Sequence, residues 1–200
     1  MYRENKQHNA VQPPESIYKT RFSRLSKVFL LRRCTHLFMK PFSPQRLNGF
    51  LHAIALINEE VPLAFSFSIE KLPDRGGLMQ DVTAYYQADT EAYLKENGKP
   101  APPDQWHITL KPQPAAPHIS LKQPLLGWFF HTQASEVLTQ RTKDTLIAAF
   151  FSELESLSIA GVAYEILATP PQGVYYAAHW QDFALPTKEG NWLLHLAVDD

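Results

Sequence analysis

Glu165, Tyr175, His179 and His195 offer the most concentrated chemistry in this chain. The three segments that hold them, 162–168, 174–180 and 192–198, alternate apolar and other residues, which is the period of a β-strand. Val162, Tyr164 and Ile166, then Val174, Tyr176 and Trp180, then Trp192, Leu194 and Leu196 all fall on even numbers. If that parity is a shared inner face, the odd positions share the other, and Glu165, His179 and His195 converge there with Tyr175 beside them. Two imidazoles and a carboxylate suit a divalent metal, since neutral His nitrogen and carboxylate oxygen are both good ligands for such an ion. A histidine of the set, with Glu165 and the Tyr175 hydroxyl beside it, suits general acid–base work. The expected site is therefore Glu165, His179 and His195, used as a catalytic set or as ligands of a divalent metal, with no other cofactor implied.

A second pattern lies upstream. Trp106-His-Ile-Thr-Leu110 and Pro117-His-Ile-Ser-Leu121 both read apolar, His, apolar, hydroxyl, apolar. The pair resembles the twin His-x-Thr/Ser signature of the two-histidine phosphoesterases, and the resemblance implies an acid and a base acting on a phosphodiester. It covers ten residues, and His107 and His118 stand only eleven positions apart, where that family keeps its motifs on separate lobes. A plainer reading puts Trp106, Ile108 and Leu110 in the core and leaves His107, Thr109 and Lys111 on a solvated face. His52 has no metal-spaced partner, Cys34 no neighbouring His or Asp, and Gly76-Gly77 lacks the Gly-Lys-Thr context of a phosphate loop.

These residues need elements to hold them. Ser43-Pro44 starts a helix over 44–58, with Leu47, Leu51 and Ile54 at helical spacing. Phe65, Phe67 and Ile69 alternate with Ser66, Ser68 and Glu70, which predicts a half-buried strand. A short helix ending at Gly98 follows Thr90, with 79–86 able to extend it. Strands are expected at 106–111, 118–122 and 125–131, then a long helix over about 135–158 striped by Ile147, Phe150, Phe151 and Leu154. The three closing strands complete the chain, with Lys188-Glu189-Gly190-Asn191 as the last turn. Short links between successive strands favour an antiparallel arrangement. The fold class is α+β: mainly antiparallel sheet packed by two principal helices, about 44–58 and 135–158, behind a basic N-terminal extension.

Charge divides the chain as the elements do. Of 19 Lys and Arg and 20 Asp and Glu, residues 1–38 hold eight basic and two acidic, which leaves 11 and 18 for 39–200. Expected organisation is thus a basic, poorly ordered extension over 1–38 and a single acidic α+β domain over 39–200. Residues 18–38 are Arg-rich and acid-free, which suits a nucleic acid, an anionic surface or an organelle presequence. Met39, directly ahead of Lys-Pro-Phe-Ser-Pro, would serve as an alternative start of translation. A lone cysteine fits the cytoplasm, and no run is long enough to span a membrane. With no complete catalytic signature, the leading functional expectation is an interaction module of the inhibitor, immunity or adaptor kind whose acidic body meets a basic protein. A hydrolase or metal enzyme using the Glu/His/His face is the alternative, and nucleic-acid binding through the basic arm is a second one. If 1–38 adds little to the core, residues 39–200 expressed alone should melt within about 4 °C of the full chain, by calorimetry.

Overall fold

The computed structural model describes residues 42–59 and 62–199. The basic extension, its nucleic-acid and targeting roles, and the alternative start at Met39 lie outside the described residues.

Helix α1, Pro44–Asn58, begins where Ser43 accepts a hydrogen bond from the Arg46 amide at 3.3 Å. Its buried residues, Leu47, Leu51, Ile54, Ala55 and Asn58, recur every three or four positions and form one apolar stripe. Strand β1, Ala64–Lys71, follows and lies antiparallel to the last strand, β5, Gly190–Asp199. Between them in sequence come α2, Leu78–Glu96; β2, His107–Pro112; β3, Tyr164–Thr169; and β4, His179–Thr187. The five strands form one antiparallel sheet in the order β1-β5-β4-β3-β2. This is the α+β architecture expected from the sequence.

Three elements differ from expectation. Where strands are expected at 118–122 and 125–131, the chain forms the helices α3, Pro117–Ser120, and α4, Lys122–Phe129. Leu121, Leu125, Trp128 and Phe129 are all buried, and their spacing of four, three and one is helical, which overrides the local alternation. Pro124 has no amide to bond back to Ser120, and this is where the two short helices separate. The long helix starts later than 135: after the single turn α5, Gln133–Glu136, Thr139 caps α6, Gln140–Glu155, by accepting from the Thr142 amide at 3.2 Å. Segment 174–180 is mostly loop, and β4 runs from His179 instead of ending at Trp180. Pro170 and Pro171 supply no ladder donors, so β3 ends before them.

Both sheet faces are covered, unequally. On one face α1, α4 and α6 pack Leu51, Phe129 and Phe150 against Phe67, Phe183 and Leu194. On the other, α2 lays Val82 and Tyr86 over Ile166, Ala184 and Leu193, with Trp106 at the side. Asn58 joins helices in the first layer, donating to the Phe129 carbonyl at 2.9 Å and accepting from the His131 amide at 3.2 Å. Asn48 closes the exposed edge of β1, accepting from the Ile69 amide at 2.6 Å and donating to its carbonyl at 2.9 Å. The β4–β5 hairpin turns at Lys188 and Glu189, with Gly190 at φ 118°, where a side chain would be strained. Phe150→Ala should cost on the order of 3–5 kcal/mol in a denaturant titration, because the ring is fully enclosed. Thr109→Ala, on an exposed strand position, should stay within about 0.5 kcal/mol.

Candidate functional site

Strand β4 is apolar on both sides, because helices lie above and below it. Phe183 and Leu185 point into the α1/α4/α6 layer, and Ala184 points to α2. Asp182 is the exception: a carboxylate with no solvent exposure in the centre of the sheet, on the α2 side. An isolated charge there would cost several kcal/mol, so its partners matter. On the neighbouring strand, His195 pairs directly with Asp182, and its Nδ1 lies 2.7 Å from Oδ1. Tyr86, from α2, donates its hydroxyl to Oδ2. Tyr176, from the β3–β4 loop, donates to the same oxygen at 3.0 Å and stands 3.2 Å from His195 Nδ1. The rings of Trp106 and Tyr86 pack at 4.5 Å, and Trp106 Nε1 donates to Thr90 Oγ1 at 2.7 Å. No buried side-chain nitrogen or oxygen among the described residues lacks a partner.

The electrostatics follow from this packing. Burial pushes the hydroxyls of Tyr86, Tyr176 and Tyr85 well above the usual phenol range; the Asp182 charge adds to it for the first two, and Glu70 then Asp182 for Tyr85, so all three remain neutral and Tyr86 and Tyr176 remain donors. Burial by itself pulls His195 down. The hydrogen bond and charge of Asp182, with Glu70 and Asp89 beyond, outweigh it and raise the imidazole above its ordinary 6.5. Asp89 is raised by burial first and by Glu70 and Asp182 next, with His195 opposing. The cluster is a buried ion pair with an attached tyrosine pair.

The Glu165, His179 and His195 set does not assemble. Ile166 pairs with Asp182 and Asp182 with His195, so these three share the α2 face. Glu165 pairs with Phe183 and projects to the opposite face, as His179 does. The sheet itself therefore separates His195 from the other two, as catalytic residues and as metal ligands alike. The physical reason is parity: with β4 centred on 183, even numbers on β3 share a face with odd numbers on β5. Among the described residues no group of three His, Cys, Asp or Glu side chains is arranged to hold a metal. Tyr175 also leaves the set, donating to Asp199 Oδ1 at 2.6 Å.

Glu165 and His179 do stay near one another through Gln181. Gln181 donates to Glu165 Oε1 at 2.8 Å and accepts from Trp128 Nε1 at 2.9 Å. Lys111 adds an ion pair to Glu165 at 3.5 Å. The His179 ring stacks on Trp128 with centroids 5.1 Å apart and planes 16° from parallel. His107 and His118 are not a pair: one opens β2, and the other is in α3, lining a hollow with Phe151 and Glu155 of α6. Sequence reasoning missed Asp182, Tyr86 and Tyr176. The signal for Asp182 was a lone charge inside Trp180-Gln-Asp-Phe-Ala-Leu185, which is otherwise fit for burial.

Comparison with known proteins finds no match: no family model, no curated protein and no solved structure is similar to this chain. Among the described residues no helix is long and apolar enough to cross a membrane.

His195 makes a pH dependence calculable in sign. Its folded value is raised, so the ion pair contributes fully below about pH 6.5 and fades as pH rises through the folded value. Thermal midpoints should therefore fall between pH 6 and pH 9 by more in the wild type than in His195→Gln. Equal slopes for the two proteins would contradict the ion pair.

Proposed function

We propose that the chain is a binding module for a protein partner and that it docks through the half of the sheet that no helix covers. The observation that carries this is the contrast between the two halves of the α1/α4/α6 face. Strands β1, β5 and the end of β4 give that face its core residues; β2 and β3 give none. Their inner residues, Ile108, Leu110, Ile166 and Ala168, all serve the α2 side. On the uncovered strip Thr109, Lys111, Leu167 and Thr169 are exposed, and Leu167 keeps 48 % of its surface in solvent.

The strip is indented as well as bare. Pairing of β3 with β4 covers only residues 164–166, against 182–184. Beyond it residues 167–169 pair with β2 alone and 179–181 with β5 alone, so the sheet forks. The fork holds a depression of about 460 Å³ lined by His107, Thr109, Leu167, Thr169, His179 and Trp180. A second hollow of about 280 Å³ lies on the other side of His179, against Trp128 and His131. Trp128 and Trp180 bring to these hollows the aromatic surface that protein-binding patches favour. With 18 acidic and 11 basic residues over 39–200, long-range attraction favours a basic partner. The lone cysteine suits a cytoplasmic setting for that encounter.

A photo-reactive benzoylphenylalanine placed at Leu167, in cells that naturally produce the protein, should yield one discrete cross-linked species. Thr109→Arg on the adjoining strand, which adds bulk and a charge that repels a basic partner, should abolish that species. The same probe at Val137, exposed on the α5–α6 link, should not form it. Identical products from both positions, or none at Leu167, would refute docking at the strip.

A further inference from the structure

On the α2 side of the sheet three strands place a serine, a histidine and an aspartate in one row. Ser68 of β1 is the direct cross-strand partner of His195 of β5, and His195 is the direct partner of Asp182 of β4. Residues directly opposite in an antiparallel pair point to the same face, with Cβ atoms roughly 4.5–5.5 Å apart. His195 Nδ1 is turned to Asp182 at 2.7 Å, so its Nε2 lies on the far side of the ring from that carboxylate. From this juxtaposition we propose that Ser68 is a nucleophile activated by His195, with Asp182 as the positioning residue, and that the row accepts acyl or phosphonyl groups from neutral or cationic small molecules.

Each part has the required character. Asp182 is fully buried and held by the hydroxyls of Tyr86 and Tyr176, so it can fix the Nδ1–H tautomer without itself taking the proton. The His195 side chain retains 15 % exposure, and Ser68 is half-buried, so a small reagent can reach the row from the β1 edge. The Ser68 hydroxyl donates to Glu70 Oε1 at 3.0 Å, and its part in the row requires that it leave this acceptor for the imidazole on the same face of the neighbouring strand. The charged and titratable groups that face His195 are Asp182 on β4, Glu70 on β1, Tyr85, Tyr86 and Asp89 on α2, and Tyr176 on the loop. With the Glu70 and Asp89 carboxylates close enough to act on His195, anionic substrates are repelled and cationic ones attracted.

The step balances. Ser68 Oγ forms a bond to the carbonyl carbon of an ester while its proton passes to His195 Nε2. The carbon–oxygen bond to the leaving alkoxide then breaks, and His195 returns the proton to it. Water, deprotonated by the same imidazole, releases the acid and restores the serine. With a fluorophosphonate the Oγ–P bond replaces P–F, fluoride leaves, and the adduct persists.

The experiment is labelling of the full chain with a neutral alkyl fluorophosphonate, followed by peptide mapping of the adduct. The expected adduct is on Ser68, absent from Ser68→Ala and unchanged in Ser66→Ala, which lies two residues away on the same face. His195→Asn should slow labelling on the order of 10²-fold, the usual contribution of a general base. The rate in the wild type should rise with pH through a midpoint above 6.5, and Asp182→Asn should move that midpoint down by removing the charge that holds it up. No adduct at Ser68 in the wild-type chain, where folding is not in question, overturns the proposal. So does labelling of Ser68 that is indifferent to pH and to His195. The row lies on the opposite face from the docking strip, so either result is independent of the cross-linking one.

Discussion

The buried carboxylate of Asp182 is the constraint around which the α2 half of the molecule is arranged. A carboxylate with no exposure at the centre of a sheet survives only if each oxygen is met by a donor and its charge by a cation. The donors come from three separate parts of the chain: Tyr86 from α2, Tyr176 from the β3–β4 loop and His195 from β5. Meeting them fixes the rotation of α2 about its axis, the path of the loop and the register of β4 on β5. A one-residue slip of that hairpin would carry Asp182 to the α1/α4/α6 face, among Phe183, Leu185 and Leu194, where no donor waits. Asp81 reinforces the arrangement at the start of α2, accepting from Asn191 Nδ2 and the Arg75 amide, both at 2.6 Å.

The same constraint explains why the sheet forks. To bring its hydroxyl to Asp182, Tyr176 must lie beneath the sheet, against Tyr86, Trp106 and Trp180. A loop that delivers a ring there cannot also continue the β3–β4 ladder, and Pro170 and Pro171 remove the amides that would have extended it. The cost of closing the polar core is thus an opening on the opposite side, between Leu167 and His179. Trp128 supports one wall of that opening by stacking on His179 and bonding Gln181, so the exposed edge of β4 is held in place from the helical layer.

Much of the fold was legible in the residues, and the failures have local causes. Helix α1 was readable because its cap, Ser43-Pro44, and its stripe agree. Strand β1 was readable because Phe65, Phe67 and Ile69 share a covered face while Ser66, Ser68 and Glu70 lie at an edge that α2 covers only in part. Residues 117–129 misled because Ile119 and Leu121 alternate with His118 and Ser120 over just four positions, and Ile119 turns out exposed while Leu121 is buried. Four residues cannot separate a period of 2 from one of 3.6. The C-terminal site misled for a different reason. Alternation shows which residues share a face within a strand, but relating two strands requires the register, and in a strand covered on both sides, such as β4, the alternation that would reveal it is gone.

Ser68 shows how far the sheet geometry constrains any chemistry on its α2 face. Asn48 takes both the amide and the carbonyl of Ile69, which therefore point away from the sheet. Neighbouring residues in a strand direct these groups to opposite sides, so those of Ser68 point inward and are spent on β5. The amides of Ser68 and Ile69 are thus both engaged, so neither is available to an oxyanion, a contact worth about 10²–10³ in rate where enzymes have it. A nucleophile in that position has its base and its positioning carboxylate, but these two amides do not form the electrostatic pocket of an efficient acyl transferase. Slow, reagent-trappable reactivity is what this row can support, and faster turnover would require a donor that a ligand or partner brings to the β1 edge.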